Sequence, residues 1–180
     1  LCAFSCKGRS LCPSCVSRRM SDTAAYLCDH VLPRAPYRLW TLSLPKHIRF
    51  KLARDGKLLS RVLAAFIGAV SSDYRRRARK RGITNPICGS VTHIQRFSSL
   101  IRLNIHFHSW FADGVFTVSD DGKLAFNPLP PPEQQDIDRL THTIRRRILK
   151  LCDEPLTEPD DKSAAAIEAA LKNYRIDLKP

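Results

Sequence analysis

The segment "IRLNIHFHSWF", residues 101–111, constrains the fold more than any other part of the sequence. It is rich in β-forming residues and predicts a half-buried strand. Residues two apart on a strand point to the same face, so His106 and His108 share one face while Phe107 points into a core on the other. The sequence therefore predicts a sheet that is covered on one side and carries two imidazoles on the opposite side.

Helical and strand patterns around this segment predict an α+β fold. Apolar residues recur at helical spacing over 57–81, which predicts a long helix ending at Gly82. A short helix is predicted over 18–32, with Ser21 or Asp22 as its N-cap. The other predicted elements are strands at 37–44, 90–97 and 101–111, a helical turn at 45–52, a hairpin turning at 121–122 and a helix over 133–151. This β-α-β-β-(β)-α order predicts a ferredoxin-like antiparallel sheet with helices on one side.

Four of the seven cysteines lie within the first fifteen residues, "LCAFSCKGRSLCPSC". Clustered thiols with a C-x-x-C pair favour a tetrahedral zinc site, although a redox or chance pair remains an alternative. The predicted zinc ligands are Cys6, Cys12, Cys15 and, as the candidate for a fourth, Cys2. The isolated cysteines are predicted to be buried as small apolar residues: Cys28, Cys88 and Cys152.

The positive charge of the chain is concentrated in its first hundred residues. They hold 19 Lys and Arg against 4 Asp and Glu, whereas residues 101–180 hold 11 against 13. This asymmetry predicts a polyanionic partner, most often nucleic acid; a merely soluble basic surface is the alternative. A run at the end of the long helix is predicted to bind backbone phosphates: Arg75, Arg76, Arg77, Arg79, Lys80 and Arg81.

Several segments together resemble a known family. "AFSCKGRSLCPSC" near the N-terminus, "YRLWTLSLP" from residue 37 and "LNIHFH" followed by "DGVF" resemble the transposases of rolling-circle insertion sequences. These are tyrosine-HUH proteins with an N-terminal zinc-binding domain, and the resemblance covers residues 3 to 151. It implies an HUH-nuclease-like fold and cleavage and transfer of single-stranded DNA through a phosphotyrosine intermediate.

The resemblance also implies roles for individual residues. His106 and His108 match the paired ligands of a divalent ion, Mg²⁺ or Mn²⁺, and His93 or Gln95 on the preceding strand is the candidate third ligand. Cys6, Cys12 and Cys15 match cysteines of the zinc domain. Asp113 and Gly114 match the segment after the histidines, without an assigned role.

The chain also departs from the family pattern. It lacks the upstream cysteine pair, and Tyr174, the one tyrosine after the histidines, lies in a context unlike that of a catalytic tyrosine. We therefore expect a truncated piece of a transposase that lacks its nucleophile, and we leave the catalytic residue unassigned. The alternative is a non-catalytic, zinc-containing DNA-binding protein.

The predicted organisation has three parts. Residues 1–36 form a partial zinc module, 37–152 the metal-binding part of an HUH-type domain, and 153–180 an acidic, alanine-rich tail. No signal peptide and no apolar run long enough to cross a bilayer is visible, so we expect a cytoplasmic, nucleoid-associated protein without a membrane partner. The sequence does not indicate the oligomeric state or the DNA site recognised.

Overall fold

The computed structural model describes residues 13–98, 100 and 102–152, with side chains from residue 17 onwards. The chain divides into two compact units between Ala35 and Pro36, and each unit is described separately. The described elements are α1 (Pro13–Tyr26), β1 (Tyr37–Ser43), α2 (Lys46–Arg54), α3 (Gly56–Lys80), β2 (Ser90–Phe97), β3 (Leu103–Ala112), β4 (Gly114–Val118), β5 (Leu124–Pro128) and α4 (Gln134–Cys152).

The first unit contains α1 and a π-helical turn, Leu27–Val31. The predicted N-cap was wrong: Ser21 and Asp22 lie inside α1, because Pro13 begins the helix earlier. Proline suits that first position, since its fixed φ is already helical and its missing N–H would have no helical partner. The prediction that Cys28 is buried was also wrong, because the π-helical turn has no buried residue and Cys28 is exposed.

The second unit is built around a three-stranded sheet with the order β1-β3-β2. Both outer strands are antiparallel to β3. They are therefore parallel to each other, and α2 and α3 connect them, which makes a split β-α-β unit. β4 and β5 form a separate hairpin whose turn contains Gly122 at a φ of 78°. The predicted α+β class with antiparallel sheets is confirmed.

The core lies between one face of the sheet and the helices. Phe107 is fully buried, and its ring centroid lies 6.3 Å from that of Phe66 on α3. Tyr74, also on α3, stacks on Phe111 of β3 at 5.8 Å. Leu140, Ile144 and Ile148 extend the same core along α4. The helices therefore cover the odd-numbered residues of β3, as the alternation in the sequence predicted.

The ends of α3 are fixed by its flanking residues. The Asp55 carboxylate accepts hydrogen bonds from the backbone N–H groups of Lys57 and Leu58, both at 2.9 Å. Gly82, at a φ of 78°, ends the helix with the two backbone hydrogen bonds of a Schellman motif. Among the described helices, none combines the length and the apolar character needed to span a membrane.

Candidate metal and nucleic-acid site

The side of the sheet opposite the helices carries the two histidines, and we call it the histidine face. Its residues are Leu39, Thr41 and Ser43 of β1, Val91, His93 and Gln95 of β2, and His106, His108 and Trp110 of β3. None of these side chains is buried, and none is acidic. An anionic ligand approaching the histidine face therefore meets no carboxylate among them.

The two histidines are brought together as the sequence predicted. Their ring centroids lie 4.9 Å apart. Nδ1 of His106 lies 2.6 Å from the backbone oxygen of Asn104, and Nδ1 of His108 lies 3.2 Å from the Thr41 hydroxyl. Because a carbonyl only accepts, Nδ1 of His106 carries a proton, and in the tautomer that this contact favours the lone pair lies on Nε2. Such a second contact is what normally fixes the ring of a metal-binding histidine.

A complete set of metal ligands is not assembled on this face. His93 lies opposite His108 in the strand register, and Gln95 lies opposite His106. Among the described residues, however, no group of three or more His, Cys, Asp and Glu side chains is placed to hold a metal ion. The amide oxygen of Asn104 is buried and has no hydrogen-bond partner there. The residues present therefore fit a divalent ion in part. They supply two imidazoles, and two side-chain amides lie close in the strands: Gln95 opposite His106, and Asn104 two residues before it.

The electrostatic surroundings keep His108 neutral. Burial, together with the neighbouring His106 and His93, lowers the pKa of His108 below its ordinary value. A lowered pKa means that the ring is neutral at pH 7, which is the form that binds a metal ion.

The basic run at the end of α3 divides into two groups. Arg76 forms ion pairs with Asp73 at 2.5 Å and with Asp136 at 2.7 Å. Arg77 is 7% exposed, lies over the Tyr74 ring and donates to the backbone oxygen of Pro130. Burial opposes ionisation of Asp136, but the hydrogen bond and charge of Arg76 outweigh it, so the pKa of Asp136 is lowered. These two arginines therefore join α3 to α4 and the loop before it.

The other basic residues of the run face solvent. Arg79, Lys80 and Arg81 are exposed, and Arg75 is half-buried. Arg76, Arg77, Lys80 and Arg81 also line a cleft of about 270 Å³ beside Pro130 and Pro131. We call the exposed group Arg79, Lys80 and Arg81 the basic rim. Of the predicted phosphate-binding residues, the basic rim is the part with free access to a partner.

The segment after the histidines has a structural role that the sequence did not reveal. The Asp113 carboxylate accepts two hydrogen bonds from Arg38, at 2.9 and 2.6 Å, and lies 3.5 Å from the Tyr74 hydroxyl. A Cβ at Gly114 would clash with the backbone oxygen of Asn127. Asp113 thus ties β3 to β1 and α3, and Gly114 permits the close hairpin packing.

The described tyrosines differ in their access to solvent. Tyr74 is fully buried and receives a hydrogen bond from the Trp40 indole at 3.3 Å; burial raises the pKa of Tyr74 to about 12. It is therefore a packing residue, unsuited to attack a phosphodiester. Tyr37 is half-buried at the start of β1, and Tyr26 is exposed in the first unit. Tyr174 lies outside the described residues.

The predicted zinc ligands fall almost entirely beyond the described part of the chain. Cys2, Cys6 and Cys12 lie outside it, and of Cys15 only the backbone, in the first turn of α1, is described. Their proposed coordination therefore remains a prediction.

Comparison with protein-family models finds a match in the N-terminal part of the chain. Residues 1–44 match the family model described as the transposase zinc-binding domain. The match supports a transposase-related role. It includes the cysteine cluster and extends through β1, about a quarter of the chain. A search of curated proteins found no match, and neither did a search of solved structures.

Proposed function

We propose that this chain binds single-stranded DNA and a divalent ion as the metal-binding part of an HUH-type transposase. The observation that carries the proposal is the histidine pair, with both Nδ1 atoms hydrogen-bonded and both rings on an open, non-acidic sheet face. The match of residues 1–44 to a transposase zinc-binding domain supports it independently. The split β-α-β unit supports the ferredoxin-like assignment for this domain.

In this proposal His106 and His108 are the ligands of the divalent ion, with His93 or Gln95 on β2 as the third. The bound ion would withdraw charge from a non-bridging phosphate oxygen and so make the phosphodiester easier to attack. The residues of this chain hold the ligands in place: the Asn104 carbonyl and Thr41 hydroxyl orient the imidazoles, and Phe107 fixes the strand between them. Imidazole suits Mn²⁺ better than Mg²⁺, so we expect Mn²⁺ to bind more tightly.

The proposal also includes a zinc module and a DNA surface. Cys6, Cys12 and Cys15 would hold the zinc ion, with Cys2 as the candidate fourth ligand. The basic rim would contact DNA phosphates, whereas Arg76 and Arg77 are already engaged by Asp73 and Asp136.

The DNA surface is tested by changing Arg79, Lys80 and Arg81 together to alanine. The variant is expected to bind a labelled single strand more weakly, because the counterions released when each phosphate is neutralised contribute to affinity. The slope of log affinity against log salt should become shallower by about 0.7 for each phosphate that the variant no longer neutralises. Fluorescence anisotropy over a salt series measures both quantities.

A second triple variant provides the matched control. Three other basic residues are also exposed and lie at or just before the opposite end of α3: Arg54, Lys57 and Arg61. Changing all three to alanine removes the same amount of charge. If both triple variants weaken binding equally, net charge rather than the basic rim is responsible. If the rim variant keeps the affinity and slope of the unchanged protein, the proposed DNA surface is wrong.

A further inference from the structure

The two tryptophans of the chain lie on opposite faces of the same sheet. Trp40 is 4% exposed, donates its indole N–H to the Tyr74 oxygen and packs edge-on against the Tyr74 ring at 6.4 Å. Trp110 is half-buried on the histidine face. Among the described residues, its indole N–H has no hydrogen-bond partner and its ring meets no other aromatic ring.

The surroundings of Trp110 are apolar on both sides. Leu39 lies opposite Trp110 across one ladder, and Val91 lies opposite it across the other. Trp110 also follows His108 by two residues, a distance of about 7 Å along a strand. The histidine face therefore places an apolar platform, formed by Leu39, Val91 and Trp110, directly beside the imidazole pair.

This juxtaposition fits a nucleotide. A nucleotide combines an anionic phosphate with a flat base whose faces are apolar. Aromatic side chains bind single strands by stacking on such faces, and this is sequence-tolerant because every base has a π-face. In a duplex the faces are already stacked on neighbouring bases. The ligand that matches imidazoles next to an unpartnered indole is thus a nucleotide of an unpaired strand.

We propose that Trp110 stacks on an unpaired base of the DNA strand whose phosphate lies at the histidine pair. This inference rests on the proposed function and adds to it a base-binding position. Trp110 contributes affinity for single strands over duplex, and Leu39 and Val91 lie beside it on the two neighbouring strands. The stacking requires no particular base, so it does not by itself specify a sequence.

Tryptophan fluorescence tests the proposal directly, since Trp40 is shielded in the core. A deoxythymidine oligomer should quench the emission of the full chain, and Trp110→Phe should remove the quenching while retaining most of the binding. Trp110→Ala should weaken binding of the oligomer by roughly 5- to 150-fold, which corresponds to about 1–3 kcal/mol per stacked base. A duplex of the same length and inorganic polyphosphate should cause little quenching, because neither offers a free base.

An exposed aromatic residue outside the histidine face provides the control. Phe50 on α2 is 47% exposed, and Phe50→Ala should leave both quenching and affinity unchanged. If the protein binds the oligomer through the basic rim but Trp110→Ala binds it equally well, the stacking proposal is overturned and the proposed function stands. If the unchanged protein binds no single-stranded DNA, the proposed function fails and the stacking proposal fails with it.

Discussion

Replacing Phe107 by alanine is expected to lower the free energy of unfolding by about 3–5 kcal/mol, the usual cost of deleting a buried aromatic side chain. Phe107 is fully buried on the central strand β3, and its ring packs against Phe66 of the long helix α3. The substitution removes this packing and leaves a cavity between sheet and helix. Urea denaturation followed by circular dichroism measures the change.

The two neighbours of Phe107 provide the control within the same strand. His106→Ala and His108→Ala should each change the free energy of unfolding by less than about 1 kcal/mol, because both side chains lie on the open face and each makes about one hydrogen bond. A fold that tolerates the Phe107 change, or collapses with either histidine change, would contradict the assignment of the two faces.

Replacing Arg77 by alanine is expected to lower the free energy of unfolding by about 3 kcal/mol. Arg77 is buried, although the sequence around it is a run of basic residues typical of a protein surface. Its guanidinium is 7% exposed and lies within 4 Å of two carboxylates, 3.9 Å from Asp73 and 3.8 Å from Asp136. Removing Arg77 takes one cation from a buried charge cluster, so Asp73 keeps only Arg76 and Asp136 keeps Arg76 and Arg139, and it opens a void against Tyr74. Thermal and urea unfolding should both register the destabilisation.

Arg79 is the matched control, two residues further along the helix. It is exposed, so Arg79→Ala should change the free energy of unfolding by no more than about 0.5 kcal/mol. Arg77→Lys, which keeps the charge but not the planar guanidinium, should fall between the two. Equal stability of the Arg77→Ala and Arg79→Ala variants would show that the charge cluster does not hold α3 to α4.

The sequence predicted most helices and strands of the second unit because their periodicities are strong. The strand over 90–97 and the alternation around Phe107 agree with the structure. The same periodicity could have placed Arg77, which continues the buried stripe of Val70 and Tyr74 along α3. Charge alone predicted a phosphate-binding role for Arg77, whereas helical position decides which arginine is buried.

Strand parity also places Trp110. Its number has the same parity as His106 and His108, and it lies on their face of the sheet rather than in the core. The pairing of Asp113 with Arg38 was beyond prediction, because it joins residues 75 positions apart whose meeting depends on the strand register. The third ligand of the proposed metal site stays open for the same reason: the register places both His93 and Gln95 opposite the histidine pair, so it does not distinguish between them.

Mn²⁺ binding by the zinc-saturated full chain, measured by electron paramagnetic resonance, shows whether the histidine pair is a metal site. We expect one Mn²⁺ per chain, absent in His106→Ala and in His108→Ala and kept in His142→Ala, an exposed histidine on α4. His93→Ala and Gln95→Ala, measured in parallel, should identify the third ligand by the larger decrease in binding. If Mn²⁺ remains bound in the double variant of His106 and His108, or if the unchanged protein binds none, the pair is not a metal site.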